Sequence, residues 1–82
     1  MSHNRNQVFD SLTEIFRDLF DNPNIILSDH LTAEEVDGWD SLNHINLIVA
    51  VEKKFRIKLT IRDAKNLKNV GELVDLILQK IS

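Results

Sequence analysis

Cysteine is absent from the 82 residues of this chain. Without a thiol, the polypeptide can form no disulfide framework, no thiolate metal site and no cysteine nucleophile. The histidines His3, His30 and His44 also lack the spacing of a zinc site. We therefore expect no metal centre, and any thiol chemistry would require an added group.

Long hydrophobic runs are missing as well. No apolar stretch approaches the length of a membrane span, and the first residues lack the apolar core of a signal peptide. We therefore expect a cytoplasmic protein with no membrane span. Eighty-two residues, 43% of them hydrophobic, suit a single domain over residues 1–82 with one modest core. A buried catalytic cleft of ordinary size would not fit.

The net charge is only −3, but it is unevenly divided. Residues 1–42 hold two basic and nine acidic side chains, whereas residues 43–82 hold eight basic and four acidic ones. This division indicates either a dipolar surface that orients a partner or two ordinary solvated faces. The basic residues come without interleaved aromatic side chains beyond Phe55, so nucleic-acid binding is not expected.

Apolar residues recur at spacings of three and four along most of the chain, which predicts amphipathic helices. We predict helices at about residues 5–21, 41–54, 61–66 and 70–80. The first is expected to end at Asn22-Pro23, because proline disfavours helix at the preceding residue and lacks an N–H. The predicted fold is all-α, a small three-to-four-helix bundle with a long loop between the first two helices.

The two non-helical stretches carry weaker signals. Residues 22–40 form a connection longer than most helix–helix loops, and Thr32-x-x-Glu35 within it has a capping-box pattern that predicts one short turn. Further along, Phe55-Arg-Ile-Lys-Leu59 alternates apolar and polar residues as a strand does. Because so short a strand has no partner here, we expect an extended loop instead.

The run Gly38-Trp39-Asp40-Ser41-Leu42 stands where the second predicted helix begins. A serine at that place is held out of the core with its hydroxyl facing solvent. The first-turn N–H groups and the helix dipole favour an anion there, such as a phosphodiester. Taken alone, an Asp-Ser pair at a helix start is more simply explained by N-capping.

With the residues that follow it, this run resembles the acyl carrier protein family over about residues 8–81. The matching residues are Ile45, Leu47, Ile48, Ala50, Glu52 and Phe55, then Ile57-x-Leu59 and Val70-x-x-Leu73-x-x-x-Ile77. The resemblance implies that a phosphopantetheinyl transferase, using magnesium, attaches a covalent 4′-phosphopantetheine arm from coenzyme A to Ser41. Asp40 matches the family's acidic residue near the phosphate and metal, although it could also act purely as an N-cap. The arm's thiol, which the chain itself lacks, would carry acyl or aminoacyl groups as thioesters.

The second predicted helix has two apolar stripes. At about 100° per residue, Leu42, Ile45 and Val49 form one, which we name the docking stripe. The other consists of Leu47, Ile48, Val51 and Phe55. A helix in a small bundle buries one broad face, so we assign the second stripe to the core and the docking stripe to partner enzymes. The alternative is a central helix that buries both.

The charges of this helix depart from the family's pattern. Carriers of bulk fatty-acid synthesis typically bear acidic residues here, whereas this chain has Asn43, His44 and Asn46, then Lys53 and Lys54, with Glu52 as the one acid. A charge mismatch weakens steering and rejects wrong partners. We therefore expect a specialised carrier in a lipid, polyketide or related biosynthetic pathway, served by its own acyl-loading ligase or transferase and downstream synthase enzymes.

Other interpretations compete with this one. An unmodified helical interaction module would keep the fold without the arm, and an aminoacyl or D-alanyl carrier would differ only in cargo. A hydrolase built on Ser41, His44 and Asp40 is disfavoured, because nothing supplies an oxyanion hole and triads are rarely local in sequence. We expect a monomeric, non-enzymatic carrier. Its aliphatic core either simply packs or opens to shelter an acyl chain.

Overall fold

The structure, a computed structural model, describes residues 4–81. Within that range the helices are α1 (Arg5–Leu19), α2 (Ser41–Phe55), α3 (Ile61–Lys65) and α4 (Val70–Ile81), with a 3-10 turn at Ala33–Glu35. No strand occurs among these residues. The extended loop expected over Phe55 to Leu59 begins only at Ile57, because Phe55 is the last residue of α2 and Arg56 is its left-handed C-cap. The predicted all-α bundle and the long loop before α2 are confirmed.

The start of each helix is fixed by a polar side chain that accepts a backbone N–H. These pairs are Asn4 with Gln7, Asp40 with Asn43, Thr60 with Asp63, and Asn69 with Glu72. At the 3-10 turn, by contrast, the Thr32 hydroxyl bonds to the Glu35 carboxylate and caps no backbone group. Thr32-x-x-Glu35 thus marks the predicted short turn without forming a full capping box.

The first helix is two residues shorter than predicted. Phe20 follows its last residue, and Asp21 adopts a left-handed conformation with φ of 50°. The N–H of Asn22 then donates to the carbonyl of Arg17 at 3.1 Å, which closes the helix before Pro23 is reached. The apolar residues Leu19 and Phe20 continue the helical pattern in the sequence, which explains why periodicity alone extends the helix too far.

The core lies where α1, α2 and α4 meet, and α3 packs mainly on α2. Its fully buried side chains are almost all aliphatic: Val8, Leu12, Phe16, Leu47, Val51, Val70, Leu73, Val74 and Ile77. Among the described residues, no charged or polar side chain is buried. The α2 stripe that we assigned to the core therefore packs there, against apolar side chains of α1 and α4.

The long loop is fastened to the start of α4 by backbone hydrogen bonds. The N–H of Val70 donates to the carbonyl of Leu31 at 2.9 Å, and that of Gly71 to the carbonyl of Asp29 at 3.0 Å. Gly71 permits this approach, because a Cβ at that position would lie only 2.9 Å from the Asp29 carbonyl oxygen. Arg5 adds ion pairs to Asp29 and Asp75. The loop is thus held as it runs toward the start of α2.

Candidate functional site

Ser41 is the first residue of α2, and it is exposed. The residue that caps the helix is Asp40, whose Oδ1 accepts the N–H of Asn43 at 2.8 Å and whose carbonyl accepts the N–H of His44 at 2.8 Å. The Ser41 hydroxyl makes no hydrogen bond within residues 4–81. Capping is thus performed by Asp40 alone, which leaves the serine hydroxyl free for chemistry.

A tight turn precedes the cap. Gly38 has φ of 89°, a conformation that side-chain-bearing residues rarely adopt. Its carbonyl accepts the N–H of Asp40 at 2.9 Å and the side-chain amide of Asn43 at 2.6 Å. The turn and the first helical residues are therefore fixed to each other on either side of Ser41.

Trp39 and His44 form a second connection across the start of α2. The indole N–H of Trp39 donates to Nδ1 of His44 at 3.0 Å, and Nε2 of His44 lies 2.9 Å from the carbonyl oxygen of Ala64 in α3. Because an indole only donates, Nδ1 must accept, so the ring hydrogen resides on Nε2 and is donated to Ala64. The Trp39 ring meets Phe16 of α1 edge-on, with centroids 5.2 Å apart. We call this set the Trp39–His44–Ala64 relay.

The relay argues against a hydrolase built on Ser41, His44 and Asp40. The spacing of Ser41 and His44 along the helix suggested a possible contact, but both ring nitrogens of His44 are engaged elsewhere. His44 therefore cannot take a proton from the Ser41 hydroxyl in this arrangement. Its role in the structure is to tie the start of α2 to α3 and, through Trp39, to α1.

An open cleft of about 820 Å³ lies beside Ser41, between α2 and α3. Its apolar lining comes from both helices and from the loops around α3, and includes Ile45, Ile48, Leu59, Ile61 and Leu67. Lys65 and Lys68 also line it. We call this the α2–α3 cleft. The cleft places apolar surface next to Ser41.

The two stripes of α2 separate as predicted. In the docking stripe, Leu42, Ile45 and Val49 are 69%, 61% and 43% exposed. The opposite stripe faces the core: Leu47, Ile48 and Val51 are buried, and Phe55 is half-buried. The alternative in which α2 buries both stripes is therefore wrong. An exposed row of aliphatic side chains beginning next to Ser41 is available for contact with another protein.

The described residues contain neither a metal-binding cluster nor a membrane-spanning helix. No group of three or more His, Cys, Asp or Glu side chains that could hold a metal ion occurs among residues 4–81, and His3 lies outside them. None of the described helices has the length and apolar character needed to cross a bilayer.

Comparisons with known proteins agree with this geometry. Residues 10–77 match the family model described as "Phosphopantetheine attachment site". The acyl carrier protein of Acidothermus cellulolyticus is 29% identical over 77 residues, covering 94% of this chain and 92% of its own length. That of Cyanidium caldarium is 34% identical over 58 residues, covering 71% of this chain and 65% of its own length. The solution structure of the holo acyl carrier protein from Geobacter metallireducens superposes with a TM-score of 0.84 at 44% identity, covering 90% of this chain and 85% of that one.

Proposed function

Because this chain belongs to the acyl carrier protein family and is a phosphopantetheine-bearing acyl carrier, we propose that Ser41 is the residue to which the arm is attached. One observation carries this assignment. Ser41 stands on the first turn of α2 with an exposed, unbonded hydroxyl, while the neighbouring Asp40 performs the capping that would otherwise engage it.

The residues around Ser41 suit a phosphodiester. The backbone N–H groups of Ser41 and Leu42 have no acceptor within the described part of the chain, and they point out of the positive end of the α2 dipole. Asp40 uses Oδ1 for capping, and its Oδ2 makes no hydrogen bond within residues 4–81. We propose that Oδ2 helps hold the magnesium ion during attachment. Once bound, the arm supplies the thiol on which acyl groups are held as thioesters.

We propose that the docking stripe contacts the enzymes that use the arm. Acyl carriers interact with phosphopantetheinyl transferases and biosynthetic enzymes, and an exposed aliphatic row beside the attachment serine is suited to such transient contacts. The departure of α2 from an acidic composition favours a specialised enzyme set. Accordingly, enzymes of bulk fatty-acid synthesis should load this chain less efficiently than a general carrier, and equal efficiency would contradict the specialised role.

We also propose that a hydrophobic acyl chain lies in the α2–α3 cleft, because the cleft adjoins Ser41 and its walls are largely aliphatic. Acylation should then shift the methyl NMR signals of Ile48, Leu59 and Leu67, relative to the unacylated holo protein. Unchanged methyl signals would rule out sequestration and leave a simple aliphatic core.

The attachment itself is tested by intact mass after incubation with coenzyme A, magnesium and a broad-specificity phosphopantetheinyl transferase. We expect a gain of one phosphopantetheine, absent in Ser41→Ala. Circular dichroism of Ser41→Ala should match the parent chain, since the helix cap and the core are untouched. Asp40→Asn, which can still accept the N–H of Asn43, should keep the fold but slow the gain. No gain on the folded parent chain would favour the unmodified interaction module.

A further inference from the structure

Most cations of the second half of the chain are unpaired. Residues 43–81 hold eight basic side chains, of which Lys54 lies 3.8 Å from Glu14 and Lys80 lies 3.6 Å from Asp63. The other six form no ion pair or side-chain hydrogen bond with any described residue: Lys53, Arg56, Lys58, Arg62, Lys65 and Lys68. Their charge is therefore available to an external partner.

The acidic side chains of the same half are all engaged within the molecule. Glu52, the one acid within α2, accepts the backbone N–H of Leu59 at 2.9 Å, and Glu72 accepts that of Lys68 at 3.2 Å. Asp63 accepts the N–H of Thr60 and pairs with Lys80, and Asp75 pairs with Arg5. These contacts fix the carboxylates in place without removing their charge, so this half keeps its excess of eight basic over four acidic side chains.

Three of the unpaired cations surround the docking stripe. Lys53 follows Val49 by one helical turn on the same face of α2. Lys65 and Lys68 line the α2–α3 cleft, whose walls also include Ile45 and Val49. Together with the docking stripe, these three lysines form what we call the cationic docking face. An aliphatic ridge that begins at Ser41 thus has positive charge along its far end and across the cleft.

Given the proposed function, on which this step rests, we infer that the cationic docking face binds an enzyme surface whose apolar socket is rimmed by aspartate and glutamate side chains. The enzyme is one that acylates the arm or accepts its cargo, since the face adjoins Ser41. Such a rim pairs with Lys53, Lys65 and Lys68 while the socket receives the docking stripe. The rim is negatively charged because it must complement the positive charge of the three lysines.

Two other occupants fit less well. A second copy of this chain would offer the acidic charge of its first half, residues 1–42. The large hydrophobic side chains exposed among the described residues of that half are Ile26 and Leu42, and Leu42 belongs to the docking stripe itself, which leaves too little to form a socket. An anionic membrane would face the whole molecule, whose net charge of −3 opposes adsorption. An acidic rim on an enzyme contacts only the cationic docking face. It avoids repulsion by the acidic half of the chain, because charges more than about 10 Å apart are screened at ordinary ionic strength.

The test uses the ¹⁵N-labelled chain, first treated with the transferase. Two synthetic helical peptides are then titrated into it. Both peptides carry the same row of leucines, flanked by glutamates in one and by lysines in the other. We expect the acidic peptide to shift the amide signals of Leu42, Ile45, Val49 and Lys65, and the basic peptide to leave them unchanged. Binding should weaken as salt is raised from about 50 to about 500 mM.

Two charge-matched double variants complete the test. Lys65→Glu/Lys68→Glu should weaken binding of the acidic peptide by about tenfold, because two attractions become repulsions. Lys58→Glu/Arg62→Glu changes the net charge equally, but neither residue lines the cleft, so its affinity should stay within about twofold. Equal binding of both peptides, or equal losses in both doubles, would overturn the inference.

The competing occupants are tested on the same sample. If the same amide signals shift with vesicles of mixed zwitterionic and anionic phospholipid and show no preference between peptides, the face is a membrane contact and the inference is wrong. If the amide signals shift on simple dilution, the face joins two copies of the chain and the inference is also wrong. The mass gain at Ser41 is measured beforehand, so a failure of attachment is distinguished from a failure of docking.

Discussion

Removing the His44 side chain should destabilise the protein more than its position in the first turns of α2 suggests. His44→Ala deletes both hydrogen bonds of the Trp39–His44–Ala64 relay, at 3.0 and 2.9 Å, in a half-buried environment. Each such bond contributes about 0.5–1.5 kcal/mol net, and the indole N–H of Trp39 is left without its acceptor. We expect the free energy of unfolding to fall by about 2–3 kcal/mol.

Thermal unfolding followed by circular dichroism measures this loss. For a domain of this size, about 1 kcal/mol corresponds to a shift of roughly 4–8 °C in Tm, so His44→Ala should lower Tm by about 10–20 °C. Asn46→Ala is the matched control, because Asn46 lies on the same helix, is exposed and makes only a 3.3 Å contact with Asn43. Its effect should stay within about 0.5 kcal/mol.

A double-mutant cycle isolates the bond between the two rings. Trp39→Phe keeps an aromatic ring against Phe16 but removes the N–H, and the double variant with His44→Ala removes both partners. If the bond exists as described, the double variant should lose about 1 kcal/mol less unfolding free energy than the two single variants lose together. His44→Asn, whose side-chain oxygen can replace Nδ1, should recover part of the loss. Strict additivity, or no loss in His44→Ala, would refute the relay as a source of stability.

The remaining predictions concern other elements. Ile45→Asp should change the unfolding free energy by less than about 1 kcal/mol, because Ile45 is 61% exposed, but should abolish productive use by partner enzymes; extensive unfolding would place Ile45 in the core. Gly71→Ala should destabilise by about 1–3 kcal/mol in urea titration, since the new Cβ meets the Asp29 carbonyl, whereas a gain from helix propensity would refute that contact. The pKa of Asp63 is lowered from 3.8, chiefly by the N–H of Thr60, so its contribution to stability is present above that pH and lost as pH falls below it. Asp63→Asn should therefore flatten the fall of Tm with acid below pH 3.8, and an unchanged slope would contradict this.

Much of the fold could be predicted because its signals are local. Helix starts are specified by side chains that bond to backbone groups within a few residues, as at Thr60 and Asp63, and these pairs can be read from the sequence. The faces of α2 follow from helical geometry alone. Periodicity misplaces the end of α1, because the apolar pattern continues through Leu19 and Phe20 while the left-handed turn at Asp21 and the bond from Asn22 to Arg17 close the helix.

The relay could not be predicted, since its members are brought together by the tertiary fold. Trp39 lies in the tight turn before the helix, and Ala64 lies twenty residues beyond His44, so no local pattern joins them. Ser41 lies only three residues before His44 in the sequence, but the imidazole bonds to Trp39 and Ala64 instead.

The same contacts explain why Ser41 is suited to modification. The helix start is held by Asp40 through its cap, by Asn43 through Gly38, and by His44 through the relay, so its position does not depend on Ser41. A residue that bears no structural contact can be esterified without a cost in folding energy, provided that its neighbours fix its location. Substitutions at Ser41 should therefore affect attachment alone, whereas His44→Ala should affect stability first. This separation suits a carrier, because the helix start keeps its own contacts whatever group the serine bears.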